Sequence, residues 1–274
     1  MSAHVARDAG GRCAAVVGCC LLALMAACTP RQAEVTEPVS ESRGWQYQLQ
    51  GRVDTGVNAS TFIVDGFDVD EATVADLRGR GRTVICYVNA GALESWRPDA
   101  GRFPDEIVGD DLDDWPGERW LDIRRIDVLQ PILAERFDMC RRKGFVGVEA
   151  DNVDGYTQKS GFELTPDDQL RFNRMLAALA HERSLTIGLK NDLDQIDDLV
   201  DEFDFAVNES CVQYRECAAL APFTAQGKAV LHVEYELPTA DFCPVTAPLG
   251  FRSIRKPVEL TAPVEQCPTT GDTR

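Results

Sequence analysis

From Trp45 onward the chain repeats one beat: a short apolar run, a polar exit, then a segment able to coil. The apolar runs are WQYQLQG (45–51), TFIVDGF (61–67), TVICYVNAG (83–91), GFVGVEADN (144–152), LTIGLKND (185–192), FDFAVNES (203–210), AVLHVEY (229–235) and GFRSIRK (250–256). Among the segments between them, TPDDQLRFNRMLAALAHERS (165–184) is the clearest helix. Thr165 can cap it, Pro166 suits its first turn and Asp168 completes a capping box. Leu170, Phe172, Met175, Leu176 and Leu179 then share one face. A shorter helix in DEATVADLRGRG (70–81) stops at Gly79 and Gly81. Strands alternating with helices pair in parallel through crossovers. Eight of them over about 210 residues fit a small single-domain α/β fold, the (β/α)8 TIM barrel. A doubly wound open sheet is the competitor, but no GxGxxG or GxxxxGK[ST] loop follows any strand. The barrel is expected over 45–256, with 257–274 as a C-terminal tail.

The first 28 residues read differently. Arg7 and Arg12 precede the small apolar run CAAVVGCCLLALMAA, which is short for a membrane span and has the form of a secretory signal. Its ending, LMAAC, resembles a lipoprotein box with Cys28 as the lipidated residue. Residues 29–44, polar and rich in Pro, Ser and Glu, read as a tether. The protein is therefore expected at the cell envelope as a lipoprotein, or else secreted, touching membrane only through that anchor.

Export changes how the cysteines outside the leader read. Cys211 and Cys217 can close a small loop, Cys243 and Cys267 can staple the tail, and Cys86 and Cys140 read as small buried hydrophobes. With no CxxC motif, and only His181 and His232 beyond the leader, a metal site is not expected, nor is a cofactor. The net charge of −17 repels nucleic acid and anionic lipid, and favours a cationic partner. The chain is expected to be a monomer.

The strand ends carry the functional signal. They deliver Asp65, Asn89, Glu149 with Asp151 and Asn152, Lys190 with Asn191 and Asp192, Asn208 with Glu209, and Glu234 with Tyr235. In a (β/α)8 barrel these ends share the catalytic face. No GxSxG elbow is present and His232 has no partnered nucleophile, so acyl transfer lacks support. DNVDG lacks the first and last ligands of a calcium loop. Two carboxylates acting together need no metal, which is how most glycosidases work. Tyr87, Trp96, Tyr156 and Tyr235 supply aromatic surface for sugars beside the amides.

The ordered motifs CYVNAGALESWRPD, RWLDIR, GFVGVEADNVDGY, GLKND, NESCVQYREC and AVLHVEY resemble glycoside hydrolase family 114, the endo-α-1,4-polygalactosaminidases, from about Trp45 to Tyr235. The resemblance implies a TIM barrel, with Asp151 and Glu209 as the catalytic acids. Ala150 stands where proline is common in relatives, and Ser210 where glutamine is frequent. The substrate is expected to be an amino-sugar polysaccharide, polycationic when deacetylated. The expected ligands are Asp65, Tyr87, Asn89, Trp96, Glu149, Asn152, Asp154, Tyr156, Lys190, Asn191, Asn208, Glu234 and Tyr235. Asp151 is assigned as nucleophile and Glu209 as general acid/base in a retaining mechanism, with Glu149 as the second candidate for a catalytic carboxylate. Asp154 either binds an amine or caps the next segment. The alternatives are a non-catalytic glycan-binding, biofilm-associated module on the same barrel, or a carboxylate-metal hydrolase.

Overall fold

A computed structural model describes residues 44–268. The expected leader with Cys28, nearly all of the tether and the last six residues lie outside the described residues. Strands β1 (Trp45–Gln48), β2 (Thr61–Asp65) and β3 (Thr83–Asn89) open the chain, with helix α1 (Glu71–Gly79) between the last two. A small insertion follows: β4 (Ala92–Glu94), β5 (Val108–Asp111) and β6 (Glu118–Leu121). Helix α2 (Ile126–Lys143) leads to β7 (Gly147–Asp151), and α3 (Pro166–His181) leads to β8 (Thr186–Lys190). Next come α4 (Ile196–Leu199), β9 (Phe205–Glu209), α5 (Cys211–Tyr214), α6 (Ala221–Ala225) and β10 (Ala229–Glu234). Helix α7 (Thr239–Thr246), β11 (Arg252–Arg255) and β12 (Glu265–Gln266) complete it.

All eight expected strands are present, in the order β1-β2-β3-β7-β8-β9-β10-β11 and parallel throughout. Side chains alternate about each strand. One set fills the barrel: Tyr47, Ile63, Ile85, Tyr87, Phe205, Val207, Leu231, Val233 and Ile254. The other set packs under the helices: Phe62, Val64, Val84, Val148, Ile187 and Leu189 meet Leu133, Phe137, Phe172 and Leu176. Gly188 is required where Phe205 turns inward, since a Cβ there would lie 2.2 Å from the ring. The capping box of α3 forms as its sequence predicts, with Thr165 and Asp168 exchanging bonds.

The seam between β11 and β1 is closed mainly by side chains. Gln266 on β12, which runs antiparallel to β11, brackets Trp45, accepting from its N–H at 3.2 Å and donating to its carbonyl at 2.7 Å. Trp45 Nε1 reaches the Arg252 carbonyl at 2.9 Å, and Lys256 Nζ donates to Gln46 Oε1 at 3.0 Å. The barrel therefore does not end at Lys256; the stretch expected as a tail supplies its closing strand. The pattern concealed this because β12 is two residues long and polar.

Three disulfides form: Cys211–Cys217, Cys243–Cys267 and Cys86–Cys140. The last corrects the reading of Cys86 and Cys140 as free hydrophobes. One lies on β3 and the other on α2, too far apart in sequence for spacing to reveal the pair. It closes a loop of 54 residues, worth about 4 kcal/mol in a chain-entropy estimate. The double Cys86→Ala/Cys140→Ala variant is accordingly expected to lose roughly that much stability, read as a lower denaturant midpoint. Among the described residues no helix is long and apolar enough to cross a membrane.

Candidate active site

Strands β7, β8 and β9 are neighbours, so Asp151, Lys190 and Glu209 leave the barrel rim side by side. The Lys190 ammonium, in a residue 3% exposed, lies 3.0 Å from Asp151 Oδ1, 3.3 Å from Glu209 Oε2 and 3.5 Å from Glu149 Oε1. Burial disfavours a charged lysine, but the three carboxylates outweigh it and hold the ammonium well above its ordinary pKa. Because one nitrogen touches both oxygens, Asp151 Oδ1 and Glu209 Oε2 are separated by no more than those two distances combined, about 6.3 Å.

Asp151 is held as an anion. Its Oδ1 also accepts from the Asn152 N–H at 2.9 Å, and its Oδ2 from the Tyr87 hydroxyl at 2.8 Å. Burial works to raise its pKa, yet Lys190, Tyr87 and the amide together keep it below the usual carboxylate value. Glu209 accepts from the Tyr235 hydroxyl on one oxygen and from Asn191 Nδ2 at 3.2 Å on the other. Asn191 Oδ1 receives the Glu209 backbone N–H at 3.0 Å, which fixes the residue at both ends. Burial, with nearby carboxylates, lifts the hydroxyls of Tyr47, Tyr87 and Tyr235 well above the ordinary tyrosine value.

Several expected ligands stand elsewhere. Glu149 does point inward, as strand alternation requires, but two residues before Asp151 places it about 6.6 Å lower in the barrel. It is fully buried, takes the Tyr47 hydroxyl at 2.7 Å, and desolvation pushes it up to about 7. It therefore supports Lys190 from below and does not reach the cleft. Asn208 and Glu234 occupy the alternate positions of their strands, away from the barrel axis, and both are buried. Glu234 instead receives the Val212 and Gln213 N–H groups at 2.8 and 3.3 Å, anchoring the turn after Glu209. Asn89 is buried as a relay, accepting from Asn152 Nδ2 at 3.0 Å and donating to Glu118 Oε2 at 2.9 Å. Asp65 faces the cleft but is bound up with Arg97, which also grips Glu94.

The remaining expected residues, Tyr87, Trp96, Asn152, Asp154, Tyr156, Lys190, Asn191 and Tyr235, do line one open cleft of about 1500 Å³ above Asp151 and Glu209. Asp154 precedes the turn Gly155–Thr157 without capping it through its side chain, and burial raises its carboxyl. Asp192, which also lines the cleft, is pushed up to about 8 by burial and by Asp154.

Of one wall, sequence reasoning named Trp96 and missed the rest. The inserted sheet, with β6 between β4 and β5, brings Glu94, Arg97, Trp115, Glu118 and Trp120 to the cleft. Tyr47 was missed as well, although its place in WQYQ gives it the same inward parity as Trp45. Among the described residues, the grouping with metal-ligand spacing is Cys211, Cys217 and His232, and its two sulfurs are joined as a disulfide.

The sequence profile described as Glycoside-hydrolase family GH114 matches residues 25–271. The chain belongs to this family. The structure is similar to the crystal structure of Aspergillus fumigatus Ega3 in complex with galactosamine, with 39% identity and a TM-score of 0.80. That match covers 86% of this chain and 98% of the other. The glycoside hydrolase domain of PelA from Pseudomonas aeruginosa shares the barrel at 13% identity, with a TM-score of 0.64 over 81% of this chain and 98% of the other. Among curated proteins, none matches the chain significantly. This GH114 member is thus a glycoside hydrolase on a TIM barrel, and its cleft is the place to look for a glycan.

Proposed function

We propose that this GH114 chain is an endo-acting hydrolase of α-1,4-linked galactosamine polymers, using Asp151 and Glu209 with net retention. The observation that carries the reading is the Lys190 bridge. It limits the facing oxygens, Asp151 Oδ1 and Glu209 Oε2, to about 6.3 Å, which favours the close spacing of retaining enzymes over the roughly 6.5–9.5 Å that admits a water in inverting ones. In the first step Glu209, protonated, gives its proton to the glycosidic oxygen as that bond to C1 breaks. Asp151 attacks C1 from the opposite face and forms a glycosyl ester. In the second step Glu209 takes a proton from water, the water oxygen bonds to C1 and Asp151 leaves. Both carboxylates accept several donors, but Lys190 lies nearer Asp151, at 3.0 Å against 3.3 Å, and the tighter hold on its anion suits the nucleophile.

Substrate class rests on charge and on similarity. Fourteen acidic and three basic side chains line the cleft, and two of those three, Arg97 and Lys190, are already paired with carboxylates. Such a surface draws in a polycation, and Ega3 is similar along most of this chain and was crystallised with galactosamine. Export as an envelope lipoprotein fits three disulfides, which persist in oxidising compartments. The mass of the mature N-terminus tests the anchor at Cys28.

The direct test is release of soluble oligosaccharides from purified α-1,4-galactosamine polymer by residues 29–274. Release is expected, and it should fall steeply between 50 and 500 mM salt, because steering by exposed acids is screened over about 10 Å at 0.1 M. Binding without release would turn the reading to a glycan-binding module. A flat salt response would point to a neutral or acetylated glycan.

A further inference from the structure

Among the carboxylates around the cleavage point, most have a partner cation. Asp65 and Glu94 share Arg97, while Asp151 and Glu209 share Lys190. Glu118 does not: it is 8% exposed, faces the cleft, and makes no ion pair among the described residues. Its position is fixed by the inserted sheet, where it lies directly opposite Glu94 in the β4–β6 register. Like charges facing each other across antiparallel strands are unfavourable, and of the two, Arg97 hydrogen-bonds Glu94 alone, acting on Glu118 only from a distance.

The same carboxylate is tied to the proposed nucleophile. Asn89 donates to Glu118 Oε2 at 2.9 Å, and accepts from the side chain of Asn152, whose backbone N–H donates to Asp151 Oδ1 at 2.9 Å. Asn89 and Asp151 are themselves register partners on β3 and β7. The relay sets Glu118 beside Asp151, with its other oxygen left for something in the cleft. Desolvation, then Glu94 and Asp151, push Glu118 up to about 7, as expected for a carboxyl whose surroundings supply too little positive charge.

We propose that Glu118 binds the free ammonium on C2 of the sugar being cleaved, making the enzyme select a deacetylated residue there. The inference rests on the hydrolase reading for its geometry. Asp151 must meet C1, and the C2 nitrogen is one carbon away, so an ammonium in that sugar comes within reach of a carboxylate beside Asp151. An acetamido group offers no charge for Glu118 and adds bulk against the Trp120 wall.

The experiment uses the Glu209→Gln protein, which keeps the charge on Asp151, as an inactive background for binding. Glu118→Gln is added to it, a change that preserves an acceptor for Asn89. Calorimetry with an α-1,4-galactosamine tetrasaccharide should show affinity falling roughly 10- to 100-fold, the worth of one charge-assisted hydrogen bond. The N-acetylated tetrasaccharide should change by less than about twofold. Equal losses for both ligands, or no loss for either, would overturn the proposal. So would transfer of the effect to Asp154→Asn or Asp192→Asn, two other cleft carboxylates without an ion pair among the described residues. Glu118→Asp, which keeps the charge, is the second variant: it should retain more affinity for the galactosamine tetrasaccharide than Glu118→Gln, and equal weakening by both variants would overturn the proposal. If the parent enzyme released no product while the selectivity held, the hydrolase reading would fail and the amine site would stand.

Discussion

Asp151→Asn is expected to lower turnover of the polymer by about 10⁴-fold or more, the scale seen when a covalent nucleophile is lost, and no change of leaving group should recover it. Glu209→Gln should be comparably inactive on the polymer but respond to chemistry. With a dinitrophenyl glycoside of a galactosamine oligosaccharide, the leaving group needs no proton, so ester formation at Asp151 proceeds without the acid. Deglycosylation would then stall, because no base activates water, and added azide should restart it by attacking C1 directly. Both groups accept from Lys190, a tyrosine and an asparagine, and the contrast is one of degree: Lys190 lies 3.0 Å from Asp151 against 3.3 Å from Glu209, whose side chain is the more exposed. Asp151 is surrounded by donors that favour its anion, namely Lys190, the Tyr87 hydroxyl and the Asn152 amide. Rescue of Asp151→Asn and failure of Glu209→Gln would reverse the two roles, and rescue of neither would end the covalent mechanism.

The barrel was legible because its signal is local. Each strand announced itself by a short apolar-rich stretch with a polar exit, and the capping box of α3 could be read from Thr165, Pro166 and Asp168 alone. What escaped was set by contacts distant in sequence. Cys86 and Cys140 meet only once α2 lies over β3. The inserted sheet has three- and four-residue strands with polar edges, so Glu118 reads as a loop acid until the fold brings it to Asp151. Strand ends gave the right rim but not the right face. Period two sends Asn208 and Glu234 outward while Glu209 and Tyr235 go inward, and depth along β7 separates Glu149 from Asp151. Sequence therefore located the rim that lines the cleft, and misplaced the residues whose position depends on parity and depth.

Lys190→Met should cost the most stability of any single change in the site, and its cost should depend on pH. In the parent, the ammonium offsets Glu149, Asp151 and Glu209 within a buried volume. Removing one partner of a buried pair typically costs roughly 3–5 kcal/mol, because the charge left behind is uncompensated. Here three carboxylates lose it, and they can escape only by taking up protons. Their folded-state pKa values rise, led by Glu149, which burial already holds at about 7 with the lysine present. A raised carboxyl contributes stability below its unfolded pKa and loses it as pH climbs through the folded value. The variant should thus lie nearest the parent at about pH 5 and furthest below it at about pH 8. In the parent, Asp151 has the opposite sign: its lowered pKa gives stability above the unfolded value, lost as the solution is acidified. Denaturant midpoints of both proteins across that range decide the matter. Parallel curves would mean that Lys190 acts by packing alone, and that the low pKa assigned to Asp151 has another source.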